Sequence, residues 1–325
     1  VAELFFWEAI QQALRHEMDR DENVIIVGED IGAYGGAFKV TRGMLKDYGP
    51  ERVMDSPISE GGLAGLCTGA AITGLRPVTE VMFMDFITLM FDQLLNHASK
   101  YRYMYAGTVK VPMVVRAPTG GGRGYGATHS QSLESYLYRI PGLKLLAPST
   151  CEDARGMLIS AIRDDNPVAF IEHKKLYGVR EEVSSDPEPT PLGKARIARE
   201  GNDIALISYS YMVRQCLAAA EELEEKGVSA LVLDLRSLSP LDDDAIAEAV
   251  EQTGRVLIVE EGTRTGGIGA EISARVSENC FFDLEAPPAR LATPDTPIPC
   301  SPPLENALLP NPAAITRAAE ALLQD

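Results

Sequence analysis

Asn23-Val24-Ile25-Ile26-Val27-Gly28-Glu29-Asp30 is an apolar run that ends in glycine and two acids. Four consecutive β-branched residues favour extended backbone, and the lack of polar alternation predicts a strand buried on both faces. Such strands belong to parallel sheets covered by helices. The surroundings agree. Residues 4–18 place apolar groups at helical spacing, and residues 60–74, rich in Gly and Ala, read as a helix that lets another backbone come close. Strands are predicted over 77–82, 111–116 and 167–172, with helices over 85–105 and 151–163. Strands alternating with helices make an α/β layered domain.

Residues 181–191, containing Ser184-Ser-Asp-Pro-Glu-Pro-Thr-Pro191, break this rhythm. Prolines and charges at that density mark an exposed linker. A second α/β unit follows, with strands over 203–208, 229–235 and 255–260 and helices over 213–226, 242–253 and 266–278. The expected division is a first domain over 1–185, a linker over 186–196 and a second domain over 197–325.

Composition narrows the function. A chain of 325 residues has length for two sizeable cores. Its 45% hydrophobic and 24% charged residues are ordinary for a globular protein. No apolar run approaches the roughly 20 residues that span a bilayer, so no membrane partner is expected. Nor is nucleic acid, because backbone binding needs clustered Lys and Arg and the formal net charge is −17. That acidity favours solubility and can attract a basic patch on another protein. The N-terminus lacks a basic region followed by an apolar stretch, so no signal peptide is expected. Cys67, Cys151, Cys216, Cys280 and Cys300 are scattered and form no Cys-x-x-Cys pair. This spacing argues against zinc and a disulfide framework and suits a reducing compartment. The expectation is cytoplasm, or mitochondrial matrix or plastid where a transit peptide has been removed.

Two glycine-rich stretches invite a nucleotide-binding reading. Gly120-Gly-Gly-Arg-Gly-Tyr-Gly126 follows a strand but leads into Ala127-Thr-His-Ser-Gln131, not a helix. Gly266-Gly-Ile-Gly-Ala270 lacks the full G-x-G-x-x-G spacing, and no G-x-x-x-x-G-K-[ST] occurs. Each alone reads as a loop or close-packing device. Among His16, His97, His129 and His173, His129 stands out because a loop carries it; a structural histidine remains equally open on this ground. Glu60, after Asp55-Ser-Pro-Ile-Ser59, reads as a carboxylate at a helix N-terminus, where the dipole favours negative charge. Glu29 lies at the carboxyl end of a strand, where α/β proteins place ligands.

Eight stretches in order carry a resemblance. Val27-Gly-Glu-Asp-Ile-Gly32, Tyr34-Gly-Gly-Ala-Phe38, Ser56-Pro-Ile-Ser-Glu60, Gly74-Leu-Arg-Pro77, Met84-Asp-Phe86, His129-Ser-Gln131, Pro141-Gly-Leu-Lys144 and Ala161-Ile-Arg-Asp-Asp-Asn-Pro167 resemble the β subunit of the 2-oxo acid dehydrogenase decarboxylating component. That family includes pyruvate, branched-chain 2-oxo acid and acetoin dehydrogenases. The likeness runs from near residue 4 to about 310, nearly the whole chain.

The resemblance implies a transketolase-like α/β fold, with a pyrimidine-binding thiamine diphosphate domain followed by a transketolase C-terminal-type domain. It implies a site shared with an α subunit in an α2β2 heterotetramer. In the family the α subunit holds Mg²⁺ and the diphosphate through Gly-Asp-Gly and a downstream Asn, and this chain contains no Gly-Asp-Gly. A self-sufficient transketolase-type enzyme is thereby excluded. By position, Glu60 would hydrogen-bond the aminopyrimidine ring nitrogen and favour the imino tautomer that deprotonates thiazolium C2; a partly desolvated Glu suits that proton sharing. Ile58, Met82 and Phe86 would support and stack the pyrimidine, and Glu29 would extend the acidic lining. His129 would bind the substrate carboxylate and exchange protons as the acyl group moves to lipoate. Met113, Ala161, Ile162, Asp164 and Asn166 fall where some members bind K⁺.

The implied reaction is oxidative decarboxylation of a 2-oxo acid, with acyl transfer to a lipoyl-bearing dihydrolipoyl acyltransferase. Pyruvate is the first expectation and branched-chain acids the third. Met82-Phe-Met-Asp-Phe86, the glycine run before His129 and Ser301-Pro-Pro-Leu-Glu305 are similar to acetoin-type subunits. The rival from another class is a non-catalytic assembly subunit that docks the acyltransferase.

Overall fold

The computed structural model describes residues 1–324. Two compact units emerge. The first holds Val1–Thr119 and Tyr136–Leu192; the second holds Gly120–Ser135 and the chain from Gly193 onward. The loop carrying His129 thus belongs to the second unit although its flanking strands belong to the first.

The first unit contributes six parallel strands in the order Lys144–Leu146, Val168–His173, Val114–Thr119, Arg76–Glu80, Val24–Gly28, Val53–Asp55. Val24–Gly28 is buried at every position, as its unbroken apolar run requires. Its register pairs Gly28 with both Asp55 and Glu80, so three loops leave this sheet side by side at the carboxyl end. Helix Cys151–Arg163 starts where Thr150 Oγ1 accepts the Asp153 N–H, an N-cap that removes one orphan donor. It packs on helix Phe6–Arg20. There Glu17, fully buried, accepts from Arg163 Nη2 at 2.7 Å and Arg20 Nε at 3.0 Å.

Two local readings need correction. The helix expected over 85–105 is a 3₁₀ turn, Met84–Phe86, then helix Ile87–Asp92, a π-helical segment Gln93–Ala98 and helix Ser99–Met104. The stretch expected to open the linker at 181 instead forms strand Arg180–Val183, antiparallel to Ala2–Phe5. Only Val183 of that strand is buried, so a solvated two-stranded ribbon has the polar composition of a loop.

In the second unit the strand order is Ala289–Thr293, Val256–Thr263, Ile204–Ser208, Ala230–Asp234, Arg196–Arg199. The first four run parallel and the last antiparallel. Helix Tyr211–Glu224 buries Met212, Val213, Cys216, Ala219, Ala220 and Leu223 at i, i+3, i+4 spacing. They share a core with Ile315, Ala319 and Leu322 of helix Pro312–Leu322. Among the described residues, no helix is long and apolar enough to cross a membrane. All five cysteines are free, and only Cys300 is exposed.

Candidate functional site

The three loops that leave Gly28, Asp55 and Glu80 build the first part of the site. The Ser56 N–H donates to Gly28 O at 2.8 Å, which ties the second loop to the first. Glu29 follows Gly28 directly. Asp30 beside it adopts φ 54°, a left-handed conformation uncommon outside glycine, and its carbonyl accepts from Gly36 N at 2.9 Å. Glu60 opens helix Glu60–Ile72. Gly61 explains the small residues there: a Cβ on it would sit 3.0 Å from the carbonyl oxygen of Leu89 in the neighbouring helix.

Glu29 and Glu60 are brought together, each only 7% exposed. Burial raises the Glu29 carboxyl pKa, and the Glu60 carboxylate adds to the rise; the Ser59 N–H opposes both. Glu29 Oε1 is buried with no hydrogen-bond partner. A buried acceptor without a donor is costly, and a ligand bearing N–H groups would relieve it. An aminopyrimidine carries such donors, so the pair fits the pyrimidine end of thiamine diphosphate. Met82 and Phe86 lie in the loop that leaves Glu80, both half-buried, whereas Ile58 stands 81% exposed just before Glu60. His129 is carried by the second unit.

Beneath these loops lies a cluster that sequence reasoning missed. Arg116, fully buried, donates Nε and Nη2 to the two oxygens of Glu172, both at 2.7 Å, and Nη1 to Glu80 Oε2 at 2.6 Å. The Tyr177 hydroxyl donates to Glu172 Oε2 at 2.6 Å. Phe38 stacks on Tyr177 at 4.8 Å and meets Phe83 edge-on at 5.8 Å, so the cluster supports the loop bearing Met82 and Phe86. The signal was a charged residue, Glu80, Arg116 or Glu172, within each of three adjacent buried strands.

The residues expected to hold K⁺ assemble, and their oxygens also accept hydrogen bonds within the chain. Lys144 Nζ donates to one Asp164 carboxylate oxygen, and Asn166 N and Nδ2 donate to the other at 2.8 and 2.7 Å. Arg76 Nη1 donates to the carbonyls of Ile162 and Asp164 at 3.0 and 3.1 Å. Arg102 Nη1 donates to Asn166 Oδ1 at 2.8 Å. The Met113 carbonyl accepts from Val168 N at 2.9 Å and the Ala161 carbonyl from Asp164 N at 3.3 Å. Two guanidiniums and an ammonium supply positive charge to this cluster, and each carbonyl oxygen has a second lone pair beside the one that accepts. Among the described residues no group of three or more His, Cys, Asp and Glu is placed to hold a metal ion.

Both glycine motifs of the second unit receive the chain's own carboxylates. Glu260 and Glu261 are consecutive in strand Val256–Thr263, so they point to opposite faces. Glu260 accepts from Gly269 N at 3.0 Å at the start of helix Ile268–Asn279, and a Cβ on Gly267 would lie inside contact distance of its carboxylate. Glu261 Oε1 accepts from Gly121 N at 2.7 Å and Ser132 Oγ at 3.0 Å. The positions a phosphate would take are filled from within.

Burial lifts the Glu260 carboxyl from 4.5 to about 7, against the Gly269 and Ile268 N–H groups, which lower it. The native chain therefore holds this proton more tightly than the unfolded chain. Stability falls as pH rises from about 4.5 to about 7 and is level above that. At about 1.4 kcal/mol per pH unit, the ionised group costs the fold about 3 kcal/mol above pH 7. Glu260→Gln keeps an acceptor for Gly269 N–H without the charge. Urea unfolding should show the variant more stable than wild type at pH 8 and nearly equal at pH 5; an equal gain at both values would refute the assignment.

Comparison with known proteins fits this architecture. Residues 3–180 match the transketolase pyrimidine-binding domain and residues 193–315 the transketolase C-terminal domain. A solved structure described as a split-gene transketolase, inactive β4 tetramer, superposes with TM-score 0.80 over 98% of each chain at 22% identity, which shows a shared fold. The fold and site define half of a transketolase-like thiamine diphosphate enzyme. The 2-oxoisovalerate dehydrogenase subunit beta of Bacillus subtilis is 46% identical over 319 residues, 98% of each chain. The pyruvate dehydrogenase E1 component subunit beta of Staphylococcus epidermidis is 43% identical over the full length of both chains. The acetoin:2,6-dichlorophenolindophenol oxidoreductase subunit beta of Bacillus subtilis is 44% identical, covering 97% of this chain and 96% of its own. This chain belongs to the family of β subunits of the 2-oxo acid dehydrogenase decarboxylating (E1) component.

Proposed function

We propose that this chain, with an α subunit in an α2β2 heterotetramer, catalyses oxidative decarboxylation of a 2-oxo acid and passes the acyl group to lipoamide on a dihydrolipoyl acyltransferase. The observation that carries this is the buried Glu29–Glu60 pair, with Glu29 Oε1 awaiting a donor, at the carboxyl edge of a parallel sheet. When bound, thiamine diphosphate supplies a nucleophilic carbon and an electron sink for loss of CO₂. Glu60 shares a proton with the pyrimidine ring nitrogen. Glu29 accepts from the same ring system, and Met82 and Phe86 pack against its faces. His129 binds the substrate carboxylate and then gives or takes a proton during acyl transfer. A purely structural docking subunit has no use for two carboxylates desolvated side by side, which cost stability unless a ligand uses them.

Mg²⁺ and the diphosphate fall to the α subunit. Exposed Ile58, Leu66 and Leu89, on or beside the helices that frame Glu60, offer apolar surface for that partner. Pyruvate is the first substrate to assay, with acetoin and branched-chain 2-oxo acids beside it, because relatives named for all three stand at similar identity.

This reading is tested by calorimetry of the isolated chain with thiamine diphosphate and Mg²⁺. Pyrimidine contacts alone must overcome several kcal/mol of association entropy, so binding should be weak and turnover absent. Adding the α subunit should restore both together. Tight stoichiometric binding by the chain alone would sink the shared-site proposal.

A further inference from the structure

Resting on the role proposed for His129, we infer that Glu305, with Glu261, is a positioning residue: it is the built-in anion of a glycine nest that holds the His129 loop in its working shape. Gly120, Gly122, Gly124 and Gly126 have φ of 91°, 80°, 71° and 75°, while the residues between them do not enter the left-handed region. Alternating hands turn successive N–H groups into one concavity, which binds an anion. Glu305, 1% exposed, fills it: Gly122 N donates to Oε1 at 2.7 Å and Gly124 N to Oε2 at 2.9 Å. Glu261 closes the base of the loop, because one of its oxygens accepts from both Gly121 N and Ser132 Oγ. His129 lies between these two anchors, and its N–H donates to Gly126 O at 3.3 Å.

The chemistry requires a carboxylate. Two N–H donors meet two different oxygens of one side chain, and a Gln at 305 has only one acceptor, so its NH₂ would face an N–H. The glycine run and Ser301-Pro-Pro-Leu-Glu305 are therefore two halves of one device.

The test is a double-mutant cycle in the reconstituted α2β2 complex, measuring acyl transfer to a lipoyl domain and hydrogen exchange of residues 120–132. His129→Ala should lower acyl transfer by about 10²- to 10⁴-fold. Glu305→Gln should lower it by about 10²-fold, as a misplaced catalytic group does, with faster exchange in the loop and a raised KM for the 2-oxo acid, because His129 also binds its carboxylate. The double variant should be no slower than His129→Ala, since both changes remove one function. Additive losses, or wild-type activity and exchange in Glu305→Gln, would overturn the inference. Should Glu305→Gln fail to fold, Gly124→Ala takes its place in the cycle: it keeps the carboxylate and strains the backbone, with its Cβ 3.2 Å from Cys300 O. If His129→Ala retains full activity, the catalytic reading of His129 falls. Hydrogen exchange then still decides whether Glu305 holds the loop, and unchanged exchange rejects it.

Discussion

Glu60→Gln is expected to leave the chain folded and to lower turnover of the reconstituted complex by about 10²- to 10⁴-fold, the range of a general acid–base group. The physical case begins with its neighbour. Glu60 and Glu29 are buried together, and Glu60 contributes to the raised Glu29 carboxyl pKa. Removing one of two like charges relieves repulsion, so unfolding should show no loss of stability. A Gln retains the size and one acceptor, so pyrimidine contact survives and cofactor affinity should change little. What it cannot do is share a proton with a ring nitrogen. The Glu29 pKa should also fall toward its ordinary value in the variant, which carboxyl NMR or infrared titration can follow. Near-wild-type turnover on pyruvate, acetoin and branched-chain substrates would remove Glu60 from its assigned role.

Single strong patterns were readable and shared ones were not. Val24–Gly28 announced a doubly buried parallel strand because every residue in it is apolar, and helix Cys151–Arg163 spans the residues expected for it. The ribbon formed by Ala2–Phe5 and Arg180–Val183 was invisible, because its partners lie far apart in sequence and its faces are largely wet. Glu60 and His129 were proposed only through the motifs around them; by themselves a helix-opening Glu and a loop His carry no distinct signal. Glu305 stands in the motif Ser301-Pro-Pro-Leu-Glu305, yet its work depends on backbone donors about 180 residues earlier, and no spacing rule spans that distance.

The same blindness explains why the glycine stretches read as nucleotide loops that failed their spacing. Glycine patterns report backbone shape, not the identity of the anion that shape receives. In this chain the anions are Glu260, Glu261 and Glu305, fixed in the fold. Both readings were physically sound about geometry; only the folded chain shows which anion occupies it.

Arg116→Met should cost the first unit about 3–5 kcal/mol, the range for breaking a buried ion pair from one side. Arg116 satisfies three carboxylate oxygens at once, two on Glu172 and one on Glu80, and none of the three residues is more than 3% exposed. Methionine fills much of the volume but leaves two carboxylates facing each other in a dry site. Burial already raises the Glu80 carboxyl pKa, with Arg116 the principal opposing influence. Without the guanidinium it should rise further, so the native variant binds a proton that the unfolded chain releases. The variant's deficit should therefore grow as pH climbs above the ordinary carboxylate range and shrink below it. Adding Glu80→Leu and Glu172→Met should recover most of the loss, because a well-packed apolar set avoids the desolvation that an unpaired charge cannot escape. Tyr177 would lose its acceptor in that triple variant, so recovery should be incomplete unless Tyr177→Phe is included. Urea unfolding across pH for the single, triple and quadruple variants measures each step. A single variant as stable as wild type at pH 8 would mean the cluster contributes no net pairing energy.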